Sequence, residues 1–162
     1  MENKKINIII VDNNKDFCNI LEDYLSMQKD IVVTGSARNG VEALKLIVEK
    51  KPDIVVLDII MPILDGLGVL ERLKSMEINP KPHIIVLSAV GQETIIQRAI
   101  TLGADYYVVK PFDMEVFIQR IRQILNNKNN RSYLKIPLNY INKYSKLIAM
   151  DASKLKLQNR IS

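Results

Sequence analysis

The sequence predicts an α/β fold: five strands alternating with five helices around one parallel sheet. Three observations carry this reading. Short apolar runs and helical spacings alternate five times between residues 6 and 126. The strand runs are near-continuous Ile, Val and Leu, the pattern of a sheet covered on both faces. Right-handed crossovers between parallel strands then produce a doubly wound sandwich.

Each element can be justified in turn. Ile6–Val11 reads as the first strand, and Phe17, Ile20, Leu21, Tyr24 and Leu25 recur behind it at helical spacing. Residues 31–34 form the second strand. Val41, Leu44, Leu46, Ile47 and Val48 mark a helix that stops before Pro52, because the residue preceding proline avoids the helical region. Residues 54–57 make the third strand, ending at Asp58, and residues 67–76 the third helix. Residues 84–87 are the fourth strand, followed by Ser88. The helix over 94–102 is closed by Gly103. Residues 106–109 are the fifth strand, and Asp113 is placed to cap a last helix over 114–125.

Composition excludes several classes. The chain has 162 residues, of which 48% are hydrophobic and 25% charged, so it is not a wholly disordered chain. Its single cysteine, Cys18, rules out an internal disulfide and fits a reducing compartment; it falls among apolar neighbours and reads as buried and inert. No apolar run approaches the roughly 20 residues of a membrane span, and no signal-peptide pattern opens the chain, so a cytoplasmic protein without membrane contact is expected. The formal charge of +5 is unevenly spread. Residues 1–126 hold 15 Lys and Arg against 17 Asp and Glu, whereas residues 127–162 hold 8 against one, Asp151. Residues 1–126 thus read as one domain, 127–132 as a polar linker, and 133–162 as a basic tail that is disordered or forms a short helix.

In doubly wound sheets the functional site lies beyond the carboxyl ends of the strands. Those ends carry Asp12-Asn13, Asp58, Ser88 and Lys110. Paired acid and amide oxygens beside a lone aspartate suit a hard cation such as Mg²⁺. A hydroxyl and an ammonium complete a site able to hold a phosphoryl group, and aspartate can serve as nucleophile for an acyl phosphate. His83 precedes the fourth strand, away from this pocket, and reads as a surface residue.

The segments Val11-Asp12-Asn13-Asn14, Leu57-Asp58-Ile59-Ile60-Met61-Pro62 with Asp65-Gly66, Leu87-Ser88-Ala89 and Val109-Lys110-Pro111-Phe112 resemble the four signatures of a response-regulator receiver domain, over residues 6–126. Asp16 to Leu21, Leu87 to Gln92 and Gln97 to Asp113 are similar to the receiver of the stage 0 sporulation protein A family, a phosphorelay target with a C-terminal DNA-binding domain. The resemblance implies a flavodoxin-like sandwich of strand order 2-1-3-4-5. It implies Asp58 as phosphoacceptor, with a divalent metal held by Asp12, Asn13, Asp58 and the Ile60 carbonyl. Ser88 becomes the switch hydroxyl, Lys110 the phosphoryl contact and Tyr107 the aromatic switch. Pro111 follows a cis bond, and Gly66 is structural. The implied donor is a phosphorelay phosphotransferase or histidine kinase, and the face of helix four, strand five and helix five would support a homodimer. Catalysis would be confined to the chain's own phosphorylation and dephosphorylation, so it is not read as an enzyme.

Two departures keep a second reading open. Asn13 stands where the family usually has an acid, which should weaken Mg²⁺ binding. The basic tail does not match the family's DNA-binding domain, which argues against DNA binding. The alternative is a degenerate or truncated receiver acting as a protein-binding or decoy module.

Overall fold

The computed structural model describes residues 3–126; the readings for the linker and the tail lie outside the described residues. The elements run β1 (Ile6–Val11), α1 (Lys15–Ser26), β2 (Ile31–Ala37), α2 (Gly40–Lys50), β3 (Ile54–Leu57), α3 (Gly66–Ser75), β4 (His83–Ser88), α4 (Glu93–Thr101), β5 (Tyr106–Val109) and α5 (Met114–Asn126). All strands pair in parallel, in the order β2-β1-β3-β4-β5. The fold is therefore the expected α/β doubly wound sandwich of strand order 2-1-3-4-5.

Continuous apolar strands feed two cores. Ile9, Val11, Val55, Leu57, Ile84 and Val86 point to one face, against α2, α3 and α4. Ile8, Ile10, Ile54, Val56, Ile85 and Leu87 point to the other, against α1 and α5. The period-2 alternation of side chains makes each strand contribute to both layers.

Short polar side chains begin four of the helices. Asn14, Asn39 and Asp65 accept from the backbone N–H of Phe17, Glu42 and Gly68, and Asp113 accepts from Val116. These contacts satisfy donors that the first turn leaves unpaired. Gly103, at φ +112°, follows α4.

Several expectations are corrected. β2 runs to Ala37 rather than residue 34: the small residues Gly35 and Ser36 hide a strand that continues past an irregularity in its pairing with β1 at Ile8 and Ile9. α2 does stop before Pro52 as expected, closing on Lys51 in the left-handed region at φ 46°. Ile20, Val41 and Val48, counted at helical spacing, are exposed. His83 is not a surface residue. It opens β4 with its side chain only 12% exposed and Nδ1 3.5 Å from Asp105 Oδ2. Asp105 is itself buried and accepts from the Ile84 N–H at 2.8 Å. A lone carboxylate before a strand carries no pattern that announces such a pairing.

Candidate functional site at the carboxyl edge of the sheet

Strand polarity decides what gathers here. With all five strands parallel, the residues that follow β1, β3 and β5 and the last residue of β4 share one edge: Asp12, Asp58, Lys110 and Ser88. Asp12, Asp58 and Ser88 are buried, at 2%, 8% and 1% exposure. A buried charge needs a partner, and Asp12 has two. Its Oδ2 lies 2.7 Å from Lys110 Nζ, and its Oδ1 accepts from the Asn14 N–H at 2.8 Å. The Lys110 ammonium also sits 3.8 Å above the Phe17 ring, which stacks edge-on against Phe112.

Asp58 is anchored at one oxygen: Oδ1 accepts from the Ile59 N–H at 2.7 Å. Burial pushes its carboxyl above the ordinary carboxylate value, because scarce water penalises the charged form. The Ser88 hydroxyl opposes this, Asp12 adds to it, and Lys110 and the Ile59 N–H oppose it. The Ser88 hydroxyl accepts from the Val90 N–H at 3.3 Å. Tyr107 is buried and donates its hydroxyl to the Val90 carbonyl; burial raises its phenol well above the usual value.

Gly66 has a specific steric reason. A Cβ there would lie 2.2 Å from the Asp58 carbonyl oxygen and 2.8 Å from Ile59 Cα, while its N–H donates to the Ile59 carbonyl at 2.8 Å. No side chain fits, so Gly66 holds the backbone on which Asp58 sits. The Lys110–Pro111 bond is cis, as expected.

Asn13 and Ile60 are exposed at the rim. Among the described residues no group of three or more His, Cys, Asp or Glu side chains is placed to hold a metal; this pocket has two carboxylates. Its further oxygens would be the Asn13 amide and the Ile60 carbonyl. An all-oxygen set of this kind fits a hard cation such as Mg²⁺. Three contributors escaped sequence reasoning: Phe17 beneath the Lys110 ammonium, the Asn14 N–H on Asp12, and Cys18, whose Sγ donates to the Asp12 carbonyl at 3.4 Å. Only Asn14 carried a signal, as a capping residue ahead of a helix.

Known proteins share this fold. The family model for the response regulator receiver domain matches residues 8–122. The signal receiver domain of the response regulator NarL from Mycobacterium tuberculosis is similar at 25% identity and TM-score 0.72, covering 77% of this chain and 99% of that one. A two-component response regulator from Clostridium difficile is similar at 27% identity and TM-score 0.70, covering 78% and 100%. A chain of the CheX–CheY–BeF3–Mg²⁺ complex from Borrelia burgdorferi is similar at 29% identity and TM-score 0.67, covering 75% and 90%. With the family's model spanning most of the chain and its fold reproduced strand for strand, this chain belongs to the response regulator receiver domain family.

Proposed function

We propose that this receiver accepts a phosphoryl group on Asp58 from a phosphorelay phosphotransferase or a histidine kinase. The observation that carries the reading is the anchoring of Asp58: the Ile59 N–H holds Oδ1, the Ser88 hydroxyl bonds the same carboxylate, and Oδ2 is assigned here as the nucleophile. The bond from Oδ2 to phosphorus forms as the bond from phosphorus to the donor atom breaks; in a phosphohistidine donor that atom is a ring nitrogen, which leaves with the electron pair and takes a proton from water.

Asp12, Asn13, Asp58 and the Ile60 carbonyl would hold Mg²⁺, which when bound offsets charge on the phosphoryl oxygens. Lys110 keeps its ammonium at the same edge, paired with Asp12. Ser88 is the hydroxyl nearest to hand for a phosphoryl oxygen, and Tyr107 responds through the backbone of Val90, to which both Ser88 and Tyr107 are bonded. The added charge of about −2 biases this linked pair. The face of α4, β5 and α5 then changes its preference for a partner, a second copy included. The chain catalyses no other reaction and works in the cytoplasm.

The segments Leu87 to Gln92 and Gln97 to Asp113 favour a sporulation-type phosphorelay. A second reading rests on Asn13: with a neutral amide at the rim, metal binding falls and the domain serves as a protein-binding decoy. Incubation with acetyl phosphate and Mg²⁺, followed by intact mass, separates the two. One added phosphoryl group, lost in Asp58→Asn, is expected. An unlabelled natural protein would favour the decoy.

A further inference from the structure

The outer face of α1 carries a stripe that is open to solvent. Ile20 is 61% exposed and Met27 69%. They stand seven residues apart, and Met27 closes the helix with φ −71° and ψ −16°, so both lie on one face. Asp16 and Asp23, four before and three after Ile20, fall on that same face and are exposed. Neither carboxylate has an ion pair among the described residues. The stripe is thus apolar at two positions and acidic at two, along about 16 Å of helix.

The chain's own basic segment begins close by. α5 ends at Asn126, and one turn earlier Arg122 reaches the residues that follow α1. Its guanidinium lies 2.8 and 2.9 Å from the Asp30 carboxylate and 3.1 Å from Gln28 Oε1. α5 therefore ends near the Met27 end of the stripe. Residues 127–162 hold 8 Lys and Arg against one acid. Within them Tyr140, Ile141, Tyr144, Leu147 and Ile148 recur at the spacing of one helical face, with Lys143 and Lys146 on its flank. Tyr140 and Leu147 repeat the interval of Ile20 and Met27. Val41 and Val48 on α2 are an exposed pair at the same interval, but the exposed Lys45 stands between them and does not attract a basic segment.

We propose that residues 139–150 dock as a helix on this face of α1 in the same chain, antiparallel to it. Tyr140, Tyr144 and Leu147 cover Met27 and Ile20, while Lys143 and Lys146 lie along Asp23 and Asp16. The direction follows from the tether, which enters at the Met27 end. Residues 127–138 span that entry with chain to spare. Tethering holds the segment at an effective concentration in about the millimolar range, so modest contacts suffice. Burial of the apolar side chains drives the contact, and charge sets its place. The helix so covered is the one that supports the acidic pocket through Phe17 and Cys18. The contact is independent of phosphoryl transfer to Asp58.

Amide hydrogen exchange on the full chain, read by mass spectrometry, tests this. Residues 139–150 should exchange about tenfold slower than a free chain of the same sequence. Ile20→Gln should abolish that protection, and so should Asp16→Lys combined with Asp23→Lys. Adding Lys143→Glu and Lys146→Glu to the reversed pair should restore it. The substituted α1 positions are exposed, and rescue by the reversed lysines excludes unfolding as the cause of the loss. Protection in the natural chain should not change on dilution. Protection that fades on dilution assigns the face to the tail of a second copy and overturns docking within one chain. Free exchange of residues 139–150 in the natural chain overturns it as well. So does protection that survives the α1 substitutions, or that the reversed lysines fail to restore.

Discussion

Lys110 and Asp12 lie 98 residues apart in sequence, yet Nζ and Oδ2 meet at 2.7 Å beside the acceptor. The Asp12 side chain is 3% exposed and that of Lys110 21%. Removing the ammonium leaves a buried carboxylate without its counter-charge, which is costly when the partner stays behind. Lys110→Met should destabilise the domain by about 2 kcal/mol, reduced by the partial exposure of the lysine. It should also suppress labelling of Asp58. Urea unfolding and intact mass measure the two effects, and a natural-like midpoint would contradict the pairing.

The carboxyl of Asp58 is raised mainly by burial, so its ionised form is a burden on the folded state. The cost is absent below the ordinary carboxylate pKa, where both folded and unfolded chains bind the proton. It grows as pH rises toward the higher folded value and is constant above it. Asp58→Asn should therefore be more stable than the natural protein at pH 7 in EDTA, seen as a higher urea midpoint. The advantage should vanish near pH 3, roughly one pH step below the ordinary carboxylate range. Equal stability of the two proteins at pH 7 would remove burial as the dominant influence.

Asn13 supplies an amide where a carboxylate would add a full charge. Asn13→Asp should tighten Mg²⁺ binding about tenfold, which is about 1.4 kcal/mol. Titration followed by calorimetry reads this directly, and equal affinities would place the metal elsewhere.

Ile63 holds a left-handed conformation that glycine adopts without steric cost. Ile63→Gly should stabilise the domain by about 1 kcal/mol, the strain relieved less the added freedom of the unfolded chain. A lower melting temperature in the glycine variant would show that the turn is not strained.

Hydrolysis of a phosphoaspartate needs a water held in line with phosphorus. The side chains two residues beyond Asp58 and Ser88 are Ile60 and Val90, exposed and half-buried respectively, and neither can hydrogen-bond a water. The phosphoryl group should persist for many minutes, and Ile60→Asn should shorten its life. Decay within seconds in the natural protein would refute this.

The strand ends were legible because parallel polarity turns sequence position into spatial position. Asp12, Asp58, Ser88 and Lys110 each follow or close an apolar run, so their meeting follows from the topology. The supports were not legible. Phe17 beneath Lys110, and His83 facing Asp105, depend on how helices and strand ends settle in three dimensions, and no spacing encodes them. Gly66 was expected only to be structural, and a side chain there would collide with the acceptor's own backbone. Ile63 could not be foreseen at all, since its residue type argues against its conformation.

Cys18 is the chain's sole thiol, 2% exposed, and its Sγ rests against the carbonyl of Asp12. Burial first, and then the Asp12 charge, push the thiol above its ordinary pKa, so little thiolate exists to react. An alkylating reagent can reach it only when α1 lifts from the sheet. The protein thus carries a built-in clock: the rate at which iodoacetamide consumes this one sulfur counts the openings of the helix that walls the acidic pocket, with no probe to be introduced.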